Sequence, residues 1–315
     1  MNETVVTPVK ATSMRKPRKP RATAASKPKC VAAIATTHEQ LGFWPDEVRG
    51  VPNAALRGAL FSVNQEREIA KRRQKLATVD GYQIIFKGER FNQRDLDLWE
   101  MLLHLGRQQP YGARIVFVAS DLLKALGRAT GGGDYEELKE DMARLTAGAV
   151  EILFADVNQT FTGSLLRNFY RDEATQSYAI EFDDKMRALY DAGYTHVDWV
   201  QRRKLKGNSL AQWLHGFYST HAAPLRYKVE TIRELCGSTT ERLTDFRKAL
   251  RVALERLKTE EAITGWNIDP KSDLVTVRRK GSKSQQRHLE NKQTAEASAE
   301  FSTGSTGTLS GFDSH

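Results

Sequence analysis

Cysteine is nearly absent: Cys30 and Cys236 in 315 residues. That excludes a disulfide-stapled scaffold. Long apolar runs are missing too. The N-terminal region is basic and Pro-rich, and its longest apolar stretch, Cys30–Ala35, is too short for a secretory leader or a membrane helix. The expected setting is the cytoplasm, with no membrane partner. Catalytic constellations are also lacking. Gly127-Arg-Ala-Thr-Gly-Gly-Gly133 is followed by Asp134, where a phosphate-binding loop needs Gly-Lys-Ser/Thr. The seven histidines form no His-x-His or His-Glu-x-x-His pattern. Tyr190 and Tyr194 have no metal-ligand set beside them for DNA nicking. The expectation is a protein that works by binding, with no catalytic residue, metal or cofactor.

What is present is charge, unevenly placed. The net charge of +9 comes from 48 Lys+Arg against 39 Asp+Glu. Residues 1–30 hold eight Lys/Arg and one acid, and residues 278–315 hold six and four, which leaves 34 of each sign between them. The folded middle is therefore neutral. The head (1–37) has the composition of a disordered basic arm, and the tail (281–315) that of a polar disordered segment.

The neutral middle carries one pattern twice. In the first copy an amphipathic helix (Leu96, Trp99, Leu102, Leu103) precedes a strand at Arg114–Val118. A short helix follows from a Ser120 cap. After the glycine break, Asp134 and Glu137 form a capping pair opening a helix with Leu138, Met142 and Leu145. Strands follow at 149–154, 164–170 and 177–182. In the second copy a helix over about 204–218 precedes a strand at 225–229 and a short helix stopped by Gly237. Ser238 and Glu241 then open a long helix with Leu243, Phe246, Leu250, Leu254 and Leu257, and a hairpin closes the unit at 263–268 and 274–278. Helix, strand, helix, turn, helix, hairpin is the order of a winged helix-turn-helix. The expected fold class is α+β, with tandem winged helix-turn-helix domains between the basic arm and the polar tail. The expected boundaries are 38–75 for a lead-in segment and basic linker (Arg67–Lys75), 76–195 for the first winged helix and 196–280 for the second.

The second helix of such a pair enters the major groove, where it must present donors and positive charge. Asp134–Leu145 has five acids and two bases, while Glu241–Lys258 has six bases and three acids. The second is the better reader. Thr244, Lys248 and Arg251 project away from its apolar face, Arg242 lies on the other flank, and Arg247 sits near the apolar edge. Arg202, Arg203, Lys204 and Lys206 open the second copy as candidate backbone contacts. Arg278, Arg279 and Lys280 end the hairpin, where a wing would meet the next groove. Such contacts position the protein without reading sequence.

Two strings carry a family resemblance. Trp44-Pro-Asp-Glu-Val-Arg-Gly-Val-Pro-Asn53, with Arg57-Gly-Ala-Leu-Phe61, resembles the lead-in segment of the TrfA replication initiators of IncP broad-host-range plasmids. Trp199, Arg203-Lys-Leu205, Phe217–His221, Pro224-Leu225 and Val229–Ser238 are similar to the same family's C-terminal winged helix, and Arg242 and Arg247 match basic positions of its reading helix. The resemblance spans about Leu41–Lys280. It implies a plasmid replication initiator that binds iteron repeats in double-stranded origin DNA and promotes opening of the adjacent AT-rich duplex. It also implies recruitment of host DnaA, replicative helicase and sliding clamp, and a homodimer in equilibrium with the binding-competent monomer. The N-terminal winged helix would serve dimerisation and backbone contact. Single-stranded DNA is a further candidate partner. Gln40-Leu-Gly-Phe-Trp44 is similar to clamp-docking peptides, which suggests Gln40, Leu41, Phe43 and Trp44 as clamp contacts; the competing reading is a staple packing Phe43 and Trp44 onto the first domain. The rival function is a winged-helix transcriptional repressor without an initiator role.

Overall fold

The computed structural model describes residues 44–110, 112–155, 159–172, 174–175, 177–282 and 285–287. The basic head lies outside them. The elements run β1 (Val48–Pro52), α1 (Asn53–Leu56), β2 (Phe61–Ser62), β3 (Ile69–Leu76), β4 (Tyr82–Glu89), β5 (Phe91–Asn92), α2 (Gln93–Gly106), β6 (Arg114–Val118), α3 (Ala119–Ala125), α4 (Gly132–Ala147), β7 (Ala149–Phe154), β8 (Gln159–Gly163), β9 (Asn168–Asp172), β10 (Ser177–Glu181), α5 (Met186–Asp191) and β11 (Tyr194–Asp198). They continue as α6 (Trp199–Lys204), α7 (Ser209–Ser219), β12 (Tyr227–Lys228), α8 (Val229–Leu235), α9 (Leu243–Thr259), β13 (Gly265–Ile268) and β14 (Leu274–Arg278). The architecture mixes helices with small, mostly antiparallel sheets.

Two apolar clusters organise it. One runs from Trp44 to Trp199, with Phe61, Phe86, Phe91, Trp99 and Phe161 fully buried. The other runs from Leu205 to Val277 and is built on α7, α8, α9 and the final hairpin. Val63 and Val79, far back in the chain, pack against the second cluster.

The repeated pattern has a sheet counterpart. In the first copy the strands lie in the order β6-β10-β9, and in the second β12-β14-β13. Each sheet puts the strand before the helix pair beside the last strand of the following hairpin. The copies differ by one insertion. β7 and β8 do not join the first of these sheets; they continue β3 and β4 into a four-stranded sheet ordered β3-β4-β7-β8. β7 alternates exposed or half-buried with buried residues (Val150, Ile152 and Phe154 inward), so it offers one apolar face to a core whichever sheet it joins.

Several local expectations are corrected. Residues 67–75 are not a linker: Ile69–Leu76 is an edge strand. The single helix expected over 204–218 is two, because Gly207 takes φ +89 and the Asn208 side chain caps α7 by accepting from Ala211 N (2.9 Å). Helix α4 starts before Asp134, whose carboxylate accepts from Gly131 N (3.3 Å), so the cap joins Gly131 to Asp134 rather than Asp134 to Glu137. Helix α9 begins at Leu243, and its N-cap residue Arg242 makes no side-chain cap bond; Ser238 Oγ instead accepts from Thr240 N (3.3 Å) inside the turn. Ser120 lies within α3 and does not cap it. Part of the tail expected to be disordered is folded: Gln285 donates to Ser219 O (2.9 Å) and accepts from Arg279 (3.1 Å).

Trp44 accounts for much of the string Trp44–Asn53 by packing alone. It is fully buried, stacks on Tyr190 at 6.2 Å and donates through Nε1 to His104 Nδ1 (3.1 Å). A Cβ at Gly50 would stand 2.6 Å from the indole, so this position must be bare for the ring to close over β1.

Candidate nucleic-acid interface

Helix α9 buries Phe246, Leu250, Ala253, Leu254 and Leu257 on one stripe, each large side chain contributing about 1.5–3 kcal/mol. The stripe fixes what faces outward. Arg242, Thr244, Lys248 and Arg251 are exposed, as the helical spacing requires. Lys248 reaches Asp245 (3.3 Å) one turn away, a loose surface pair that a phosphate can displace. Arg251 makes no ion pair among the described residues.

Arg247 is different. Its guanidinium forms a two-pronged pair with Asp273, Nε to Oδ1 at 2.9 Å and Nη2 to Oδ2 at 2.8 Å, and this hydrogen bonding raises its pKa. Asp273 sits at the β13–β14 turn with φ +57. Arg247 therefore ties the hairpin tip to α9 and holds the two at a set angle, rather than offering a free cation.

The basic run ending the hairpin is also reassigned. Arg278, Arg279 and Lys280 lie at the open end of the hairpin, about 15 Å from its tip at the rise of a β-strand. Arg278 packs over Gly265, where an added Cβ would meet its Nη2 at 2.8 Å. Arg279 is drawn inward, donating to His221 O (3.1 Å) and to Gln285, and burial lowers its pKa. Lys280 is exposed. The cation at the tip is Lys271, absent from the sequence-derived set; its backbone N–H bonds Asp269 Oδ1 (2.7 Å), which turns the chain there. The Asp269-Pro-Lys-Ser turn was the available signal.

Among the four candidates of the second copy's start, Arg202 is a correction. It is fully buried and meets Asp97 (2.6 Å), Glu100 (3.2 Å) and the carbonyl of Gln212 (3.2 Å). It joins α2 to α6 and α7 and cannot reach a phosphate. Arg203, Lys204 and Lys206 are exposed. Lys206 donates to Gly127 O, and Lys204 lies 3.6 Å from Glu260 at the far end of α9. The structure thus separates the candidates: Arg242 and Thr244 stand at the start of α9, while Arg203, Lys204 and Lys206 stand near its end, about 24 Å away.

Helix α4 looks different in place. Its Asp141 is buried and ringed by Arg128 (2.6 Å), Arg144 (2.9 Å) and Arg94 (3.1 Å), which hold its carboxyl below the usual range against the opposing effect of burial. Asp95, also buried, pairs with Arg67 (2.6 Å) and Arg144 (2.8 Å). Glu137 pairs with Arg94, and Glu136 with Lys139 (2.7 Å). Two of the helix's five acids, Asp141 and Glu137, are matched by arginines from α2, the preceding loop and its own next turn, and Glu136 is matched by Lys139. Its net charge taken alone therefore misstates the surface it presents.

Trp44 is withdrawn from the clamp-binding set because it is core; Gln40, Leu41 and Phe43 lie outside the described residues. Among the described residues, no group of three His, Cys, Asp or Glu could hold a metal ion, and no helix is long and apolar enough to cross a membrane.

The family model described as TrfA protein matches residues 27–279, four-fifths of the chain. The chain belongs to the TrfA family. The chain is 28% identical over 245 residues to the plasmid replication initiator protein TrfA of Escherichia coli, covering 75% of this chain and 63% of that protein. It therefore spans less than two thirds of the length of that curated relative. Among solved structures, domains 2 and 3 of RctB align at a TM-score of 0.47 and 12% identity, over 73% of this chain and 99% of theirs. The Pi initiator protein in complex with iteron DNA aligns at 0.45 and 12%, over 59% and 94%. Likenesses that loose transfer no binding mode.

Proposed function

We propose that this chain is a plasmid replication initiator. It binds iteron repeats in double-stranded origin DNA, promotes opening of the adjacent AT-rich duplex and recruits host replication proteins. The observation that carries the reading is the exposed basic face of α9, presented by a strand, two helices and a hairpin in a chain whose family match spans both apolar clusters.

In this reading both halves are winged helices. The shared strand order supports it: β12-β14-β13 around α8 and α9, and β6-β10-β9 around α3 and α4. Residues 76–195 form the first and 196–280 the second. In the second, α9 enters the major groove with Thr244, Lys248 and Arg251 toward base edges and Arg242 toward the backbone. Arg203, Lys204, Lys206 and Lys280 hold phosphates. Arg247 and Arg279 act indirectly, by fixing the hairpin and the end of α7. The first half carries dimerisation and backbone contact, and the monomer is the binding form. Host DnaA and helicase are partners, with Gln40, Leu41 and Phe43 the clamp contacts.

No catalytic step is invoked, so opening draws on binding energy. Several copies on adjacent repeats bend the DNA and strain the neighbouring duplex, a cost of a few kcal/mol that extra contacts offset. The basic head then holds separated strands.

The test is a footprint of the purified chain on supercoiled origin DNA, with permanganate reactivity reporting unpaired thymines. The expected result is protection of direct repeats with reactive thymines beside them. Protection of a single promoter operator without opening would overturn the initiator reading in favour of a repressor.

A further inference from the structure

Strand β3 forms one edge of the four-stranded sheet, and its ladder with β4 is broken. Ala70 pairs with Gly88 and Gln74 with Phe86, so Lys71, Arg72 and Arg73 stand opposite the single residue Lys87. The bulge pushes three consecutive cations out of the ladder. All three, and Lys75 beyond them, are exposed. Arg73 is held by Glu151, while Lys71, Arg72 and Lys75 make no ion pair among the described residues.

The position of this edge gives the charge its meaning. Gln74 and Lys75 line one wall of a cleft whose other wall is Gly237, Ser238 and Thr239, the turn leading into α9. Glu66 and Glu68 also line that cleft. Asn64 fixes the two walls together, donating to Gly237 O (2.9 Å) and accepting from Thr239 N (3.2 Å). Lys75 therefore lies beside the turn from which Arg242 and Thr244 begin α9, and Arg72 and Lys71 extend the same exposed edge away from it, although the strand belongs to the other half of the chain. A peptide adding a strand here would need an unbroken row of N–H and C=O groups, which the bulge removes. A polyanion needs only accessible cations at intervals.

We infer that Lys71, Arg72 and Lys75 form a second phosphate-backbone contact for the duplex whose bases α9 meets. The inference rests on the proposed function. Such a contact adds affinity and fixes orientation but reads no sequence. Each phosphate neutralised contributes about 0.9 to the slope of log affinity against log salt concentration, so three contribute roughly 2–3.

The test compares the full chain with its Lys71→Gln/Arg72→Gln/Lys75→Gln variant on a repeat-containing duplex and a scrambled one, from 50 to 200 mM salt. The expected variant binds both duplexes more weakly by the same factor, with a slope shallower by about 2–3 and the preference for repeats unchanged. An unchanged slope overturns the inference. So does an unchanged slope with new self-association, which would assign these charges to protecting the edge strand. On the unmodified chain, bound repeat duplex should shield Lys71 and Lys75 from acetylation; equal labelling with and without DNA overturns the inference independently of any variant. If the unmodified chain shows no preference for repeats, the proposed function itself fails, a result distinct from a preference retained with an unchanged slope.

Discussion

At the residue scale, exposure separates arginines that look alike in sequence. Arg202 and Arg203 are neighbours, yet one is sealed between Asp97 and Glu100 and the other is open to solvent. Removing Arg202 leaves the buried Glu100 and the half-buried Asp97 without their cation. Arg202→Ala should cost about 3–5 kcal/mol in urea denaturation, and Arg203→Ala less than about 0.5. Equal, small losses would mean that water enters the junction and compensates. The outward face of α9 makes the complementary prediction. Lys248→Ala or Arg251→Ala should weaken binding to a specific site by about 1–3 kcal/mol and relax its sequence preference, with stability little changed. Lys139→Ala on α4 should leave binding within a few tenths. Comparable losses at all three positions, measured by titration against one duplex, would remove the assignment of roles to the two helices.

At the scale of elements, the turn between α8 and α9 controls how α9 is presented. Gly237 has φ +65, a region costly for any residue with a Cβ, and an added Cβ would lie 3.1 Å from the Cβ atoms of Ala59 and Ser62. Gly237→Ala should destabilise the chain by about 1–2 kcal/mol in a thermal melt. Because the same turn lines the cleft beside β3, this variant should also lose affinity for DNA while Thr259→Ala, at the far end of α9, does not. The order of elements along each copy was legible from periodicity: Arg114–Val118, Ala149–Phe154 and Leu274–Arg278 are strands with the expected bounds. Their partners were not legible. An alternating strand such as β7 states which face is apolar but not which edge it joins, so the insertion of β7 and β8 into the β3-β4 sheet was hidden. Arg67–Lys75 was hidden for the opposite reason. An edge strand with a bulge and exposed cations carries no apolar alternation, and its composition is that of a linker.

At the scale of the whole molecule, buried titratable groups set the acid limit of stability. Burial lowers the pKa of His215 to about 3 and of His104 to about 4, with nearby arginines acting in the same direction. Both bind a proton in the unfolded chain near pH 6.5 but not in the folded one, so their contribution is present above that pH and lost as pH falls toward 4. Burial raises Glu100 to about 7, with Arg202 opposing, and there the sign reverses. The folded state holds a proton between about 4.5 and 7 that the unfolded state has released, so this contribution falls as pH rises. Two histidines outweigh one carboxyl. Stability should therefore drop on acidification from pH 6.5 to 4.5, by about 1.4 kcal/mol per pH unit for each net proton. Urea midpoints across that range check it. In a His104→Gln/His215→Gln variant only the opposing Glu100 contribution remains, so a drop that vanishes or reverses would assign it to these two rings.

The sequence by itself determined the family, the repeated helix–strand–helix–hairpin order, the outward face of α9 and the neutrality of the folded middle. These are properties of local spacing and composition, which a linear chain displays. Only the tertiary structure decided which charges are free. Arg202, Arg247 and Arg279 are spent on Asp97, Asp273 and backbone carbonyls far from them along the chain. Glu137 and Asp141 of α4 are paired by Arg94 of α2, and Gln74 and Lys75 come to flank a turn more than 160 residues away. A cation's availability depends on what lies within about 4 Å of it in space, and that distance is set by the packing of remote segments rather than by neighbours in sequence.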